Sequence, residues 1–85
     1  MVIKYKPSFV REFKKLTEDL RMEALDRINQ FKNRENHKKL KVHKLKGKLK
    51  NYYSFSVTYS HRIVFEYEDS KTVVFLGIGD HDIYK

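Results

Sequence analysis

The chain has no cysteine and no tryptophan, and only one proline and three glycines among its 85 residues. Without cysteine it can form neither a disulfide framework nor a thiolate metal site. The scarcity of proline and glycine argues against a long flexible linker. No apolar run approaches the roughly 20 residues that cross a bilayer, and no signal-peptide core follows the first residue. We therefore expect a soluble, cytoplasmic chain with no membrane partner.

The chain does contain enough apolar material for one modest core. Its hydrophobic share is 40%, with six phenylalanines and six tyrosines. A chain of this length is near the lower size limit for independent folding, so a single domain over residues 1–85 is expected. The same composition excludes a disordered tail.

Positive charge is concentrated in one part of the sequence. The net charge is +8, and residues 1–50 hold 16 Lys and Arg against six acids, whereas residues 51–85 hold three against five. The densest stretch, residues 38–50, has seven lysines, one histidine and no acid. Such a run can displace counterions from a phosphate backbone, although a solvated surface or a docking site for an acidic partner would look similar. Because unopposed basic charge repels itself in a folded chain, we favour a polyanion as the partner.

The first half of the chain has the spacing of a strand followed by two helices. Residues 2–5 indicate a short strand, and Pro7 suits the first turn of a helix because its missing N–H is not needed there. Apolar residues then recur at helical spacing as far as Phe31. Thr17, which two acidic residues follow, is typical of a helix N-terminus, so we predict a helical hairpin rather than one long helix. The lysine-rich segment comes next and ends at Gly47.

From Asn51 onward the period of the apolar residues changes to two, which is typical of strands. Residues 52–59 and 62–68 alternate apolar and polar side chains, with a tight turn at 60–61. The apolar run 72–78 suits a central strand. The predicted fold is α+β, with an N-terminal strand, a helical hairpin and a three-stranded antiparallel meander. In this βααβββ order, one twisted and mostly antiparallel sheet carries both helices on one face.

The polar positions of the sheet, together with the lysine-rich segment, predict a basic groove. Ser54, Ser56, Thr58 and Arg62 point away from the apolar side of the predicted strands and lie next to the lysines. A half-solvated sheet shows the same alternation. Periodicity alone therefore does not distinguish a groove from ordinary surface.

Five residues near this groove have side chains suited to metal-free cleavage of RNA. That reaction needs a base for the 2′-hydroxyl, cations for the phosphate and an acid for the leaving 5′-oxygen, and His, Arg, Lys and Tyr can fill these roles near neutral pH. Each candidate also has a structural interpretation, such as a charged surface, a turn position, an ion pair with Glu66 or packing of the tail. No spacing supports a metal site. The predicted fold could gather the candidates at one end of the sheet: His43, His61, Arg62, His81 and Tyr84.

Three segments at these positions carry a family resemblance. They are HKLKG at 43–47, RIVF at 62–65 and GDHDIY at 79–84, and their combination at this spacing is specific although no single piece is. With these segments and the helical hairpin, nearly the whole chain resembles the RelE/ParE superfamily of toxins from bacterial and archaeal toxin–antitoxin modules.

The resemblance implies a ribosome-dependent endoribonuclease that cuts mRNA by 2′-hydroxyl attack and leaves a 2′,3′-cyclic phosphate, without a cofactor. Its implied partners are mRNA on the ribosome and a cognate antitoxin. His43 and His81 match the histidines of the YafQ-like branch. Arg62 matches the strand-start arginine of RelE-like members, and Tyr84 matches the C-terminal aromatic residue. RNA binding is expected at Lys41, Lys44, Lys46, Lys48, Lys50, Ser54 and Ser56.

Two serines mark a departure from the family pattern. RelE-like members carry lysines, and YafQ-like members a histidine, where this chain has Ser54 and Ser56. The departure favours an alternative in which a ParE-like or catalytically decayed member acts by binding DNA gyrase or the ribosome, without cutting RNA. The histidine of the tail, His81, favours cleavage. A nucleic-acid-binding domain without toxicity is a third interpretation of the same charge.

Overall fold

The computed structural model of the chain describes residues 1–47 and 51–80. Its helices and strands confirm the α+β class that the sequence predicts. In chain order they are β1 (Val2–Tyr5), α1 (Pro7–Lys14), α2 (Glu18–Phe31), a short 3-10 helix (Arg34–Asn36), β2 (His43–Lys44), β3 (Tyr53–Ser56), β4 (His61–Tyr67) and β5 (Thr72–Asp80).

The five strands of the described residues form one mixed sheet in the order β1-β5-β4-β3-β2. β1 runs parallel to β5 at one edge of the sheet. The helical hairpin carries the chain from β1 across the sheet to β2 at the other edge. The other pairs are antiparallel, as the predicted meander requires. The sequence does not predict β2, because its segment is dominated by lysine. His43 and Lys44 form this short strand by pairing with Ser54 and Tyr53 of β3.

The helical hairpin is confirmed, and Thr17 separates its two helices. The Thr17 side-chain oxygen accepts a hydrogen bond from the Leu20 amide at 3.3 Å. Glu18 and Asp19 lie in the first turn of α2, where negative charge is favourable. α1 begins at Pro7, as predicted. Neither helix of the described residues has both the length and the apolar sequence needed to cross a membrane.

The core lies between the helices and one face of the sheet, and aromatic rings form its centre. Phe31, at the end of α2, is fully buried. Its ring stacks on Phe55 of β3, with 4.4 Å between centroids, and on His37, with 4.5 Å. His37 Nε2 also lies 2.8 Å from the carbonyl oxygen of Phe31, to which it donates. These contacts attach the C-terminal end of α2 to the sheet.

The connection between β3 and β4 differs from the prediction. β3 ends at Ser56, not at residue 59. The amides of Val57 and Thr58 both donate to the His61 carbonyl oxygen, at 2.9 and 3.2 Å, so residues 57–60 close a tight connection. Tyr59 therefore lies at a turn and not on an apolar strand face.

Candidate nucleic-acid interface

A cleft of about 640 Å³ opens between α2, the lysine-rich segment and the β3–β4 connection. We call it the basic cleft. Four cationic side chains line it, and none of its described lining residues is acidic. A cleft of one charge sign concentrates ligands of the opposite sign. Its polar and aromatic walls consist of Arg27, Gln30, Lys39, Lys41, His43, Ser56, Thr58, Tyr59 and Arg62.

The basic cleft brings together four residues that the sequence assigns to catalysis or RNA binding. Lys41 and His43 come from the lysine-rich segment, and Ser56 and Arg62 stand opposite each other on β3 and β4. Arg62 is half-buried and His43 is exposed. A histidine and two cations therefore share one surface, although they are distant in sequence.

Two predicted RNA-binding lysines are placed elsewhere. Lys44 and Lys46 are exposed but do not line the basic cleft. Lys44 follows His43 in β2, and successive side chains of a strand point to opposite faces. Four further predicted residues lie outside the described part of the chain: Lys48, Lys50, His81 and Tyr84.

Ser54 corrects the predicted groove. Its side chain is only 1% exposed, so it cannot contact RNA at the surface. Ser54 stands opposite Val64 of β4, which is itself fully buried, and the sheet is therefore covered here rather than solvated. The Ser54 hydroxyl has no hydrogen-bond partner among the described residues. Strand alternation indicates which face a residue occupies, but not whether that face is covered.

His61 begins β4 and lies outside the walls of the basic cleft. The Thr58 hydroxyl oxygen accepts hydrogen bonds from the Ser60 and His61 amides, at 3.2 and 3.1 Å. With both lone pairs engaged, this hydroxyl donates to His61 Nδ1 at 3.1 Å, and the neutral ring then carries its proton on Nε2. His61 thus stabilises the turn. Its catalytic role stays a prediction.

The lysine-rich segment reverses direction at Lys41. The Val42 amide donates to the His37 carbonyl at 2.9 Å, and the Lys41 amide donates to the Lys38 carbonyl at 3.1 Å. These are the two bonds of a Schellman motif, and Lys41 occupies its left-handed position with a φ of 60°. Glycine is usual there, because a Cβ costs roughly 1–2 kcal/mol in this conformation. The turn places the Lys41 carbonyl oxygen beside the ring of His43.

This carbonyl determines the tautomer of His43. His43 Nδ1 lies 2.8 Å from the Lys41 oxygen. Because a carbonyl oxygen can only accept, Nδ1 carries the proton, and Nε2 of the neutral ring keeps a lone pair. His43 lines the basic cleft, and this tautomer gives its ring a nitrogen that can accept a proton.

Arg27 and Lys39 line the basic cleft, although neither is among the individual RNA-binding residues predicted from the sequence. Arg27 Nη2 lies 2.8 Å from Glu23 Oε1, one helical turn earlier. In the sequence, this spacing indicates only a surface ion pair. Lys39 belongs to the lysine-rich segment, so its charge could have suggested it. Only the tertiary fold brings Arg27 into one cleft with Lys39 and Arg62.

A second groove, of about 560 Å³, lies between α1 and α2. We call it the apolar groove. Large side chains in it are exposed: Tyr5 is 48%, Val10 38% and Leu25 55% accessible to solvent. A contiguous exposed apolar surface is typical of a protein–protein contact. Its walls consist of Tyr5, Phe9, Val10, Phe13, Lys14, Arg21, Leu25 and Ile28.

Two ionisable side chains near the β4–β5 turn have shifted pKa values. Glu68 accepts a hydrogen bond from Lys4 Nζ at 3.1 Å, and this bond raises the pKa of Lys4. The Lys71 amide donates to Asp69 Oδ1 at 2.8 Å and lowers the pKa of Asp69. Lys4 and Asp69 are exposed and line neither groove. They are a reference for pH effects outside the candidate site.

One family model matches the sequence over most of its length. A family model described as a ParE-like toxin domain matches residues 18–85. No curated protein matches the chain.

Solved structures share its fold. A chain of the toxin–antitoxin complex RelBE2 from Mycobacterium tuberculosis is 16% identical, with a TM-score of 0.77, and the match covers 93% of this chain and 95% of that one. A chain of the YoeB–YefM complex from Staphylococcus aureus is 19% identical, with a TM-score of 0.74, and the match covers 95% of this chain and 97% of that one. The YoeB/ParE toxin from Agrobacterium tumefaciens is 19% identical, with a TM-score of 0.68, and the match covers 95% of this chain and 99% of that one. At these identities the likeness establishes a common fold and nothing further.

Proposed function

This chain belongs to the ParE-like toxin family of the RelE/ParE superfamily, and we propose that it is a ribosome-dependent endoribonuclease of a type II toxin–antitoxin system. One observation carries the proposal: His43, whose Nδ1 is bound to a carbonyl and whose Nε2 keeps a lone pair, lines a cleft together with four cations. A positioned base beside cationic groups is what metal-free cleavage of RNA needs.

In the proposed reaction, His43 Nε2 takes the proton of a ribose 2′-hydroxyl. The 2′-oxygen attacks the adjacent phosphorus, and the bond between phosphorus and the 5′-oxygen breaks. The products are a 2′,3′-cyclic phosphate and a 5′-hydroxyl that takes its proton from an acid, for which His81 and Tyr84 are the candidates. Lys41 and Arg62 stabilise the negative charge that builds on the phosphate oxygens.

The apolar groove is our proposed contact for a cognate antitoxin. The similar structures include toxin–antitoxin complexes. An amphipathic helix laid into the groove would cover the exposed side chains of Tyr5, Val10 and Leu25. Acidic residues of the same antitoxin would meet the cations of the basic cleft. Salt should therefore weaken the contact at the basic cleft more than the contact at the apolar groove.

Cleavage of mRNA on programmed ribosomes tests the proposed enzyme. The wild-type protein should produce ends that carry a 2′,3′-cyclic phosphate. His43→Ala should lower the cleavage rate about 10²–10⁴-fold, because the base is lost. Lys44→Ala is the matched control, since Lys44 neighbours His43 in β2 but lies outside the basic cleft. Its cleavage rate should fall far less than that of His43→Ala, because the base is kept.

Thermal unfolding followed by circular dichroism should give similar midpoints for both variants and the wild type. This comparison separates a catalytic defect from a folding defect. Wild-type cleavage by a folded His43→Ala variant would remove His43 from the mechanism.

Binding without cleavage is the second candidate function, and the serines of β3 favour it. Ser56 brings no charge to the wall of the basic cleft, and Ser54 is buried. Such a member would act by binding DNA gyrase or the ribosome, without cutting RNA. Uncut mRNA in the ribosome assay, together with inhibited supercoiling by gyrase, would establish this function.

A further inference from the structure

The aromatic ring of Tyr59 is exposed to solvent at the wall of the basic cleft. The residue is 97% exposed. Two other tyrosines of the sheet are packed instead: Tyr53 stacks on Phe65 with 5.6 Å between centroids, and Tyr67 meets the same ring nearly edge-on at 5.5 Å. Tyr59 makes no comparable contribution to the core, and its ring is accessible to a ligand.

The backbone on both sides of Tyr59 is held by hydrogen bonds. The amide of Val57 donates to the His61 carbonyl at 2.9 Å. The Thr58 hydroxyl oxygen accepts from the Ser60 amide at 3.2 Å and from the His61 amide at 3.1 Å. A serine or threonine hydroxyl that bonds to following amides stabilises a turn. The turn therefore presents the ring from a defined point of the cleft wall.

The neighbours of this ring in the basic cleft are suited to phosphate. Lys41 and Arg62 line the same cleft. Proteins that bind single-stranded RNA combine cations for the backbone with exposed aromatic rings on which unpaired bases stack. In a duplex the bases stack on one another and their faces are not accessible. The combination of ring and cations therefore fits a single strand.

We infer that Tyr59 stacks on an unpaired base of RNA while Lys41 and Arg62 contact the neighbouring phosphates. The inference rests on the RNA binding within the proposed function but not on cleavage. It defines the ligand as single-stranded RNA. If Tyr59 contacts a protein partner instead, RNA with bases and RNA without them should bind equally well. Comparing the two kinds of strand distinguishes these cases.

The chain has no tryptophan, so Tyr59→Trp would carry its only indole. One probe is a short 2′-O-methyl RNA, which cannot undergo 2′-hydroxyl attack. The other is an abasic strand with the same length and charge. At low salt, stacking should quench the indole fluorescence when the base-bearing strand binds. The abasic strand should bind through its phosphates without quenching.

Affinity for the two strands is an independent measurement. Tyr59→Leu, which keeps apolar bulk but loses the aromatic face, should weaken binding of the 2′-O-methyl RNA about 5- to 100-fold. Tyr59→Phe should bind like the wild type. Because neither change removes a charge, the salt dependence of binding should stay the same. Lys41→Ala is the matched control in the cleft wall, and it should weaken both strands and reduce the salt dependence.

The outcomes separate stacking from catalysis. Quenching by the base-bearing strand alone supports stacking even if ribosomes show no cleavage, in which case only the proposed enzyme fails. Equal fluorescence changes with both strands, or an unchanged affinity of Tyr59→Leu, would overturn stacking and leave the cleavage result for His43→Ala standing. If neither strand binds at low salt, stacking is overturned together with RNA binding by the isolated protein.

Discussion

The basic cleft and the apolar groove share helix α2 as a wall, but they share no described lining residue. Arg27 and Gln30 line the cleft, whereas Leu25 and Ile28 line the groove. Residues three apart lie on one face of a helix, and residues two apart point to nearly opposite sides. The two pairs are offset by two positions, so one helix presents a polar wall on one side and an apolar wall on the other.

Two partners of unlike chemistry can therefore contact opposite sides of the same helix. The polar side suits a phosphate backbone, and the apolar side suits a protein segment. Ala24 and Phe31 of α2 enter the core and are fully buried. The core residues therefore stabilise α2, which both grooves need as a wall. The residues that line each groove determine what that groove can contact.

Phe31→Ala should have the largest effect, because it loosens the helix that both grooves share. The buried ring contacts Phe55, Phe65 and Phe75. Truncating a buried phenylalanine costs about 3–5 kcal/mol, and a small protein has only roughly 5–15 kcal/mol of stability. Urea denaturation followed by circular dichroism measures the loss. Phe31→Leu, which keeps apolar bulk, should lose less. Unchanged stability of Phe31→Ala would contradict the claim that Phe31 stabilises the helix that both grooves share.

Arg27→Ala should weaken RNA binding and leave the apolar groove unaffected. Removing one phosphate contact lowers the slope of log affinity against log salt by about 0.7 for a single strand. Arg21→Ala is the matched control, since it removes the same charge from the same helix on the side of the apolar groove. Fluorescence anisotropy with labelled single-stranded RNA over a salt series measures both. An equal change in slope for the two variants would mean that net charge, and not position in the cleft, governs binding.

Lys41→Gly should stabilise the protein by about 0.5–1 kcal/mol, because the steric cost that it removes exceeds the backbone entropy that glycine loses on folding. The substitution changes the wall of the basic cleft and leaves the apolar groove as it is, since Lys41 does not line that groove. Lys41→Ala removes the same charge but keeps the Cβ, so it should show no such gain. Thermal unfolding of the two variants measures the difference. Equal midpoints would show that the φ of 60° at this residue carries no strain.

Asp69→Asn should have the smallest effect, since Asp69 is exposed and belongs to neither groove. The bond from the Lys71 amide lowers the pKa of Asp69 in the folded state. A lowered pKa contributes stability above the unfolded value of about 4 and loses it as the pH falls through the folded value. The variant should therefore melt slightly below the wild type at neutral pH and converge with it in acid. Melting curves between neutral pH and pH about 2 measure this difference in midpoint. A difference that grew in acid would contradict a lowered pKa of Asp69 in the folded state.

Sequence patterns predicted those parts of the fold that depend on close neighbours in the chain. Pro7 and Thr17 marked the starts of the two helices, because helix starts are set by side chains within one turn. The alternation in the second half indicated the antiparallel meander. The two residues of β2 escaped prediction, because they form a strand only through pairing with β3.

The candidate site was predicted in part. The sequence identified His43, Lys41 and Arg62, whose chemistry is unusual enough to stand out. It assigned Ser54 to the groove wrongly, and it overlooked Arg27. A helical arginine beside a glutamate indicates no more than a surface ion pair until the position of the helix is known.

The separation of charge, the helical hairpin and the meander follow from composition and from spacing within a few residues, so the sequence was enough to predict them. The packing of distant elements places Arg27, His43 and Arg62 in one cleft, buries Ser54 and exposes Tyr59 to solvent. Those outcomes depend on which elements pack together across long stretches of chain. A local period determines the face on which a residue lies, whereas packing determines what that face meets.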